Sequence, residues 1–273
     1  MRRPVLLGIA ALLVPALLAA AEGPEERGDR LWARRAEGFA ATGRVDPSFA
    51  DGAVDAYEAA LRARPEDPRL RFKLVEALYF AGHFAAKDAG KARGRFDRAV
   101  EVSEEACAQV AKRAGGAAVP EAVDAHFWAA ISWGLWGMSH GNLAAAMKDV
   151  AGRVRDHAAL VAALDPSYRD AAGWRLLGRL HTVVPRIPLV TDWVDREEGI
   201  AQLRRALAAS ASDPRNPLFL AEALLEHRPE ERAQALALLR EVASRTPRAE
   251  NLVEETEILA EARRVLAEAE RER

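Results

Sequence analysis

The side chains able to do chemistry are few and dispersed: one thiol, Cys107, and six histidines at 83, 126, 140, 157, 181 and 227. His126 and His140 are fourteen positions apart, near one face of any helix that holds both. Imidazole is a common ligand of zinc-like ions, so the pair invites a metal test. No carboxylate or third ligand stands beside them in the sequence, and the set is incomplete. Nucleophilic chemistry fares no better. Ser132 and Ser139 lack a strand–turn–helix elbow, and Cys107 has no adjacent histidine and reads as a small core residue. Gly134 and Gly137 fall inside a helical pattern and do not form a phosphate-cradling loop. The expectation is a non-enzymatic protein with no catalytic residue, no metal and no cofactor.

The aromatic side chains are more suggestive. Ala125 to Met147 contains no Asp, Glu, Lys or Arg, and it carries Trp128, Trp133 and Trp136. On a helical wheel Phe127, Trp128, Ile131 and Leu135 share a broad face, Trp136 lies at its edge, and Trp133 points away beside His126 and His140. A helix apolar nearly all round is buried on several sides. Its rings either fill space in a packed centre or line a cavity, where indole supplies area and an N–H donor. A membrane span is a poor reading, because histidine, serine, asparagine and glycine interrupt the run. A second apolar stretch, Pro185 to Trp193, includes Ile187, Leu189 and Val190 and is long for a connection between paired helices. An apolar loop covers core, pocket or partner. The charge clusters at Arg153, Arg155 and Asp156, and from Glu261 to Arg273, read as solvated helical faces.

The elements that must position these residues are helices in pairs. Ala53, Tyr57, Ala60 and Pro65, then Leu74, Ala77, Leu78, Tyr79, Gly82 and Phe84, follow the order of apolar, aromatic and glycine positions in a tetratricopeptide (TPR) helix pair. Trp174, Leu177 and Gly178 repeat the first-helix signature, with glycine allowing close approach of the partner helix. Glu22 to Arg30 reads as a polar tether and Leu31 to Thr42 as a capping helix. Further helices are expected from Asp46-Pro47 to Arg64, Arg69 to Ala81 (closed by Gly82), Ala92 to about Arg113, Asp124 to His140, and Asn142 to Leu164. Glu197 to Ser210, Leu218 to His227, Glu230 to Arg245 and a terminal Glu250 to Glu270 complete the set. Gly115-Gly116 and Pro120 break one of these helices, and Pro214 to Pro247 spans about one repeat period. The fold class expected is all-α: a TPR-like helical-hairpin solenoid of about four irregular repeats with capping helices.

Composition agrees with that class. Of 273 residues 50% are hydrophobic and 29% charged, while formal net charge is −2, so no nucleic-acid partner is indicated. Arg2 and Arg3, the apolar run Val5 to Leu18, and Ala19-Ala20-Ala21 make residues 1–21 read as an export signal cleaved after about Ala21. Residues 22–273 then form a single helical domain. No cysteine lies near that site, so a lipoprotein is not expected, and one thiol allows no intramolecular disulfide.

Three stretches together resemble a known family. Phe127 to Trp136, then Leu164-Asp165-Pro166-Ser167-Tyr168, then Trp174 to Gly178 with Pro185, look like the T-component (TatT-type) family of TRAP transporters. The resemblance covers about residues 124–210. It implies a periplasmic accessory protein with degenerate TPR pairs, which partners the substrate-binding protein of a tripartite ATP-independent transporter. It also implies a small organic ligand in a cleft, and self-association. On that reading the cavity is lined by Trp128, Trp133, Trp136, Trp174 and Trp193, with Tyr168 and His181 supplying orienting hydrogen bonds. The rival expectation is a cell-envelope protein–protein scaffold with a dry core.

Overall fold

The computed structural model describes residues 22–114 and 120–271, so the expected leader at 1–21 and the Gly115-Gly116 break lie outside the described residues. Among the described residues every regular element is helical. Proline and aspartate set the starts. Asp46 caps α3 (Pro47–Ala63) through Ser48 N–H at 2.9 Å, and Asp67 caps α4 (Pro68–His83) through Arg69 N–H at 3.0 Å. A short polar side chain satisfies an orphan donor there, and proline fits the first turn because its missing N–H is not needed.

Four helix pairs follow one another: α4 with α5 (Ala89–Ala114), α6 (Ala122–His140) with α8 (Val150–Leu164), α9 (Tyr168–Val183) with α10 (Arg196–Ala209), and α11 (Arg215–His227) with α12 (Arg232–Ala243). Helices α1 (Pro24–Ala33), α2 (Phe39–Thr42) and α3 precede them, α7 (Asn142–Met147) interrupts the second pair, and α13 (Leu252–Arg271) ends the array. Each helix of these pairs packs on its successor. In addition α4 touches α6, α6 touches α9, α9 touches α11 and α11 touches α13, so the first helices of the pairs form one continuous inner row. The expected all-α, TPR-like solenoid is the fold found.

The terminal helix does more than cover the last pair. Ile258, Leu259 and Ala262 join the core of α10 to α12, while Val253 is buried with residues of α3 and α4. Arg35, just after α1, donates to the Glu250 carbonyl at 2.6 Å and lies 3.6 Å from Glu254, and His83 of α4 meets Glu257 at 3.0 Å. The two ends of the array therefore meet through α13.

Several local expectations need correction. The polar tether is helical: Pro24 opens α1, and the Glu26 side chain accepts from the Gly23 N–H at 3.0 Å. The helix expected from Leu31 to Thr42 is broken instead, because Gly38 turns left-handed at φ 77°. Gly82 does not close α4 but lies inside it, where a Cβ would come within 2.6 Å of the Phe96 ring. The helix expected over Asn142 to Leu164 is two, α7 and α8, separated where Asp149 adopts φ 49°.

Candidate functional site

The Trp-bearing stretch of α6, free of Asp, Glu, Lys and Arg from Ala125 onward, is held by polar groups from its neighbours. Asp97 and Glu104, two turns apart on α5, face its indoles: Trp133 donates to Glu104 at 2.6 Å and Trp136 to Asp97 at 2.7 Å. His140 stacks flat on Trp136 at 4.0 Å and lies 3.3 Å from Asp97. Arg153 of α8 places its guanidinium over the Trp133 ring at 4.7 Å. Each of these indole N–H groups thus has a carboxylate acceptor and each ring a cation or a ring neighbour, which is how a large amphipathic side chain is accommodated in a core.

Next along this interface, Cys107 of α5, His126 of α6 and His157 of α8 come together. Cys107 Sγ is 3.7 Å from His126 Nδ1, which is 2.9 Å from His157 Nδ1, and His157 Nε2 is 3.5 Å from Glu104. The hydrogen bond from His157 holds the Glu104 carboxyl down at about 2, while burial pushes the Cys107 thiol up to about 12. Burial, with His157 beside it, lowers His126. By spacing along the chain, Cys107 has no adjacent histidine and His126 matches His140. The fold instead gives both residues different neighbours, because proximity across three helices is invisible to spacing along one.

The inner row carries a second cluster. Arg169, Asp170 and Ala171 at the start of α9 have φ of 43°, 59° and 61°, a left-handed stretch that side chains disfavour. It is held by buried Arg175, which donates to the Asp170 carbonyl at 3.1 Å and to Asn216 at 3.0 Å, and by Asn216, whose amide donates to the same carbonyl at 2.9 Å. The excursion lays the Arg169 guanidinium over Phe127 at 5.1 Å and Trp128 at 5.2 Å, with Glu76 of α4 3.8 Å away. Tyr168 donates to Asp124. Burial raises the Glu76 carboxyl above its ordinary range.

The seven residues of the expected cavity are therefore not gathered around one space. Trp128 is buried in the largest core cluster, with Tyr168 packed against it. Trp133 is buried in a cluster that Trp136 and Trp193 flank, and Trp174 packs in a third with Arg205 over its ring at 5.3 Å. His181 is buried and accepts the Asp195 N–H at 3.0 Å, edge-on to Trp193. Two surface pockets of about 220 and 260 Å³ lie near Gly23 to Arg64 and near Ser212 to Leu259, and none of the seven lines either. The physical reason is that the Trp133 and Trp136 N–H groups have carboxylate acceptors, while guanidinium groups cover the faces of Trp128, Trp133, Trp174 and Trp193, so these side chains are consumed in packing.

What the packing leaves open is apolar side chains on two connections. Leu189 is 97% exposed, Met147 81%, Met138 79% and Leu143 77%. These belong to the two enlarged connections inside pairs: the α6–α7–α8 corner, and residues 184–195 between α9 and α10. Both are rooted on the same cluster of Trp133, Val150, Val154 and Leu180, to which Ala145, Val184 and Trp193 add. Leu189 sits at φ 67°, which projects it from the turn, and Thr191 ties that turn together by accepting the Ile187 N–H at 2.8 Å. The apolar loop over Pro185 to Trp193 thus buries Thr191, half-buries Trp193 and presents Pro185 to Val190 outward.

No family model matches the chain, and no curated protein matches it. Among solved structures it is similar to the crystal structure of a thermophilic TPR protein of Thermus thermophilus, at a TM-score of 0.54 and 17% identity, over 90% of this chain and 96% of that one. At that identity the likeness is one of fold. No helix among the described residues is long and apolar enough to cross a membrane.

Proposed function

We propose that this chain is a non-enzymatic docking scaffold for another protein, and that its contact surface is the apolar edge of α7 and residues 184–195. The observation that carries the reading is the exposure of Met138, Leu143, Met147 and Leu189 on two connections rooted on one core cluster. Large apolar side chains held in water are costly unless a partner covers them, and methionine adapts well to a partner's contour. The rigid array beneath means little ordering entropy is lost on binding. The partner class is the one the family resemblance implies: the substrate-binding protein of a TRAP transporter, met in the periplasm after export. The filled Trp clusters favour this docking role over a small organic ligand held among the indoles.

The test is a binding titration of the full chain with a TRAP substrate-binding protein from the same genome. The expected result is saturable binding that the double change Met147→Asp and Leu189→Asp weakens at least about tenfold, as for central anchors of an interface, with the helical circular dichroism unchanged. Absence of binding by the unaltered chain rules out that partner, and an unaffected double variant rules out this edge.

A further inference from the structure

The geometry points to a divalent metal site of the zinc class on Cys107, His126 and His157, clasping α5, α6 and α8. One ligand comes from each of three helices, and the three donor atoms all lie within 4.8 Å of one another. The observed separations, 3.7 Å for sulfur to nitrogen and 2.9 Å between the two Nδ1 atoms, are close to the roughly 3.5 and 3.3 Å that zinc–sulfur and zinc–nitrogen bond lengths give for tetrahedral ligands. Two imidazoles and one thiolate suit a borderline-soft ion, and the fourth position is free for water.

A second, independent feature is the support behind His157. Glu104 faces its Nε2 at 3.5 Å and is itself fixed by the Trp133 N–H at 2.6 Å. A carboxylate that accepts a hydrogen bond from the Nε2–H of a neutral ring leaves the Nδ1 lone pair aimed at Cys107 and His126, and this carboxylate–histidine arrangement recurs behind zinc-binding imidazoles. Without an ion, the two Nδ1 atoms share a proton. Binding would shift that proton to His126 Nε2 and release one proton, from the Cys107 thiol, while sulfur and both Nδ1 atoms donate lone pairs to the metal.

Cobalt(II) titration of the full chain tests this, because Cys107 is the only thiol and any thiolate-to-cobalt charge-transfer band must come from it. The band should saturate at one ion per chain and vanish on adding zinc. It should be absent in Cys107→Ser, and the affinity should fall at least about tenfold in His157→Gln and roughly 10- to 100-fold in Glu104→Gln. Zinc should also protect the Cys107 thiol of the unaltered chain from alkylation, a measurement that needs no variant to fold. The site is overturned if no band forms in folded protein, if saturation falls at half an ion per chain, if His126→Gln and His157→Gln together leave the band unchanged, or if zinc gives no protection.

Discussion

Gly178 marks where α9 and α10 meet: a Cβ there would lie 2.6 Å from Leu203 Cγ and 2.8 Å from the Gly199 carbonyl oxygen. Backbone cannot give way as a flexible side chain does, so Gly178→Ala should destabilise the protein by about 2 kcal/mol or more in chemical denaturation. Gly134, inside α6 with nothing within 4 Å of its would-be Cβ, makes the opposite prediction. Gly134→Ala should stabilise by about 0.5–1 kcal/mol, since alanine loses less backbone freedom in a helix. His181 supplies a pH dependence. Burial lowers its affinity for a proton, opposed by Glu198 and Asp195 and aided by Arg155 and Arg196, and its Nδ1 must stay unprotonated to accept the Asp195 N–H. The neutral ring's stabilisation is therefore complete above the unfolded value of about 6.5 and lost as pH falls through the lower folded value. Thermal midpoints measured from about pH 8 downward past the unfolded value of about 6.5 should decline less in His181→Asn than in the unaltered chain. An equal decline in both would show that other groups carry the dependence.

At the scale of elements, one buried node can be tested by truncation. Asn216 is fully buried, and its amide bonds the Asp170 and Ser210 carbonyls at 2.9 and 2.7 Å while its oxygen takes Arg175. Arg175 also pairs with buried Asp213 at 3.3 Å. Truncation in Asn216→Ala strips the Ser210 carbonyl of its donor, leaves the Asp170 carbonyl with Arg175 alone and removes one acceptor from that guanidinium, at a cost of about 2 kcal/mol. Because the node holds the left-handed start of α9, the same change should release Arg169 from Phe127 and Trp128, which indole fluorescence would report. Boundaries of such elements were readable where proline or aspartate spoke, as at Asp46-Pro47 and Asp67-Pro68. They were not readable at Asp149, whose left-handed turn splits α7 from α8 although nothing in the residue type requires it. Periodicity sees one helix across that point, and only the docking of Val150 against Gly137 of α6 shows why there are two.

Across the whole molecule, α13 is the piece on which both ends depend. Deleting residues 249–273 would uncover the apolar faces that Ile258, Leu259 and Ala262 cover on α10 to α12, and would remove the Arg35 and His83 contacts at the other end. A TPR-like array without its terminal cap exposes an apolar flank. The truncated chain should melt at least about 5 °C lower and bind a hydrophobic dye, and a midpoint equal to that of the full chain would show that the array closes without α13. The class of this protein is local information: helical spacing of apolar residues, proline stops and glycines at close approaches suffice to specify paired helices that must stack. The sequence also singles out the charge-free Trp segment and the apolar 184–195 loop. Which side chains face one another was decided only by the tertiary structure. Glu104 meeting Trp133, Cys107 meeting His126 and His157, and indoles absorbed into separate clusters all depend on how three helices rotate and slide against one another. That arrangement is fixed by the summed packing of their faces and written in no single stretch of chain.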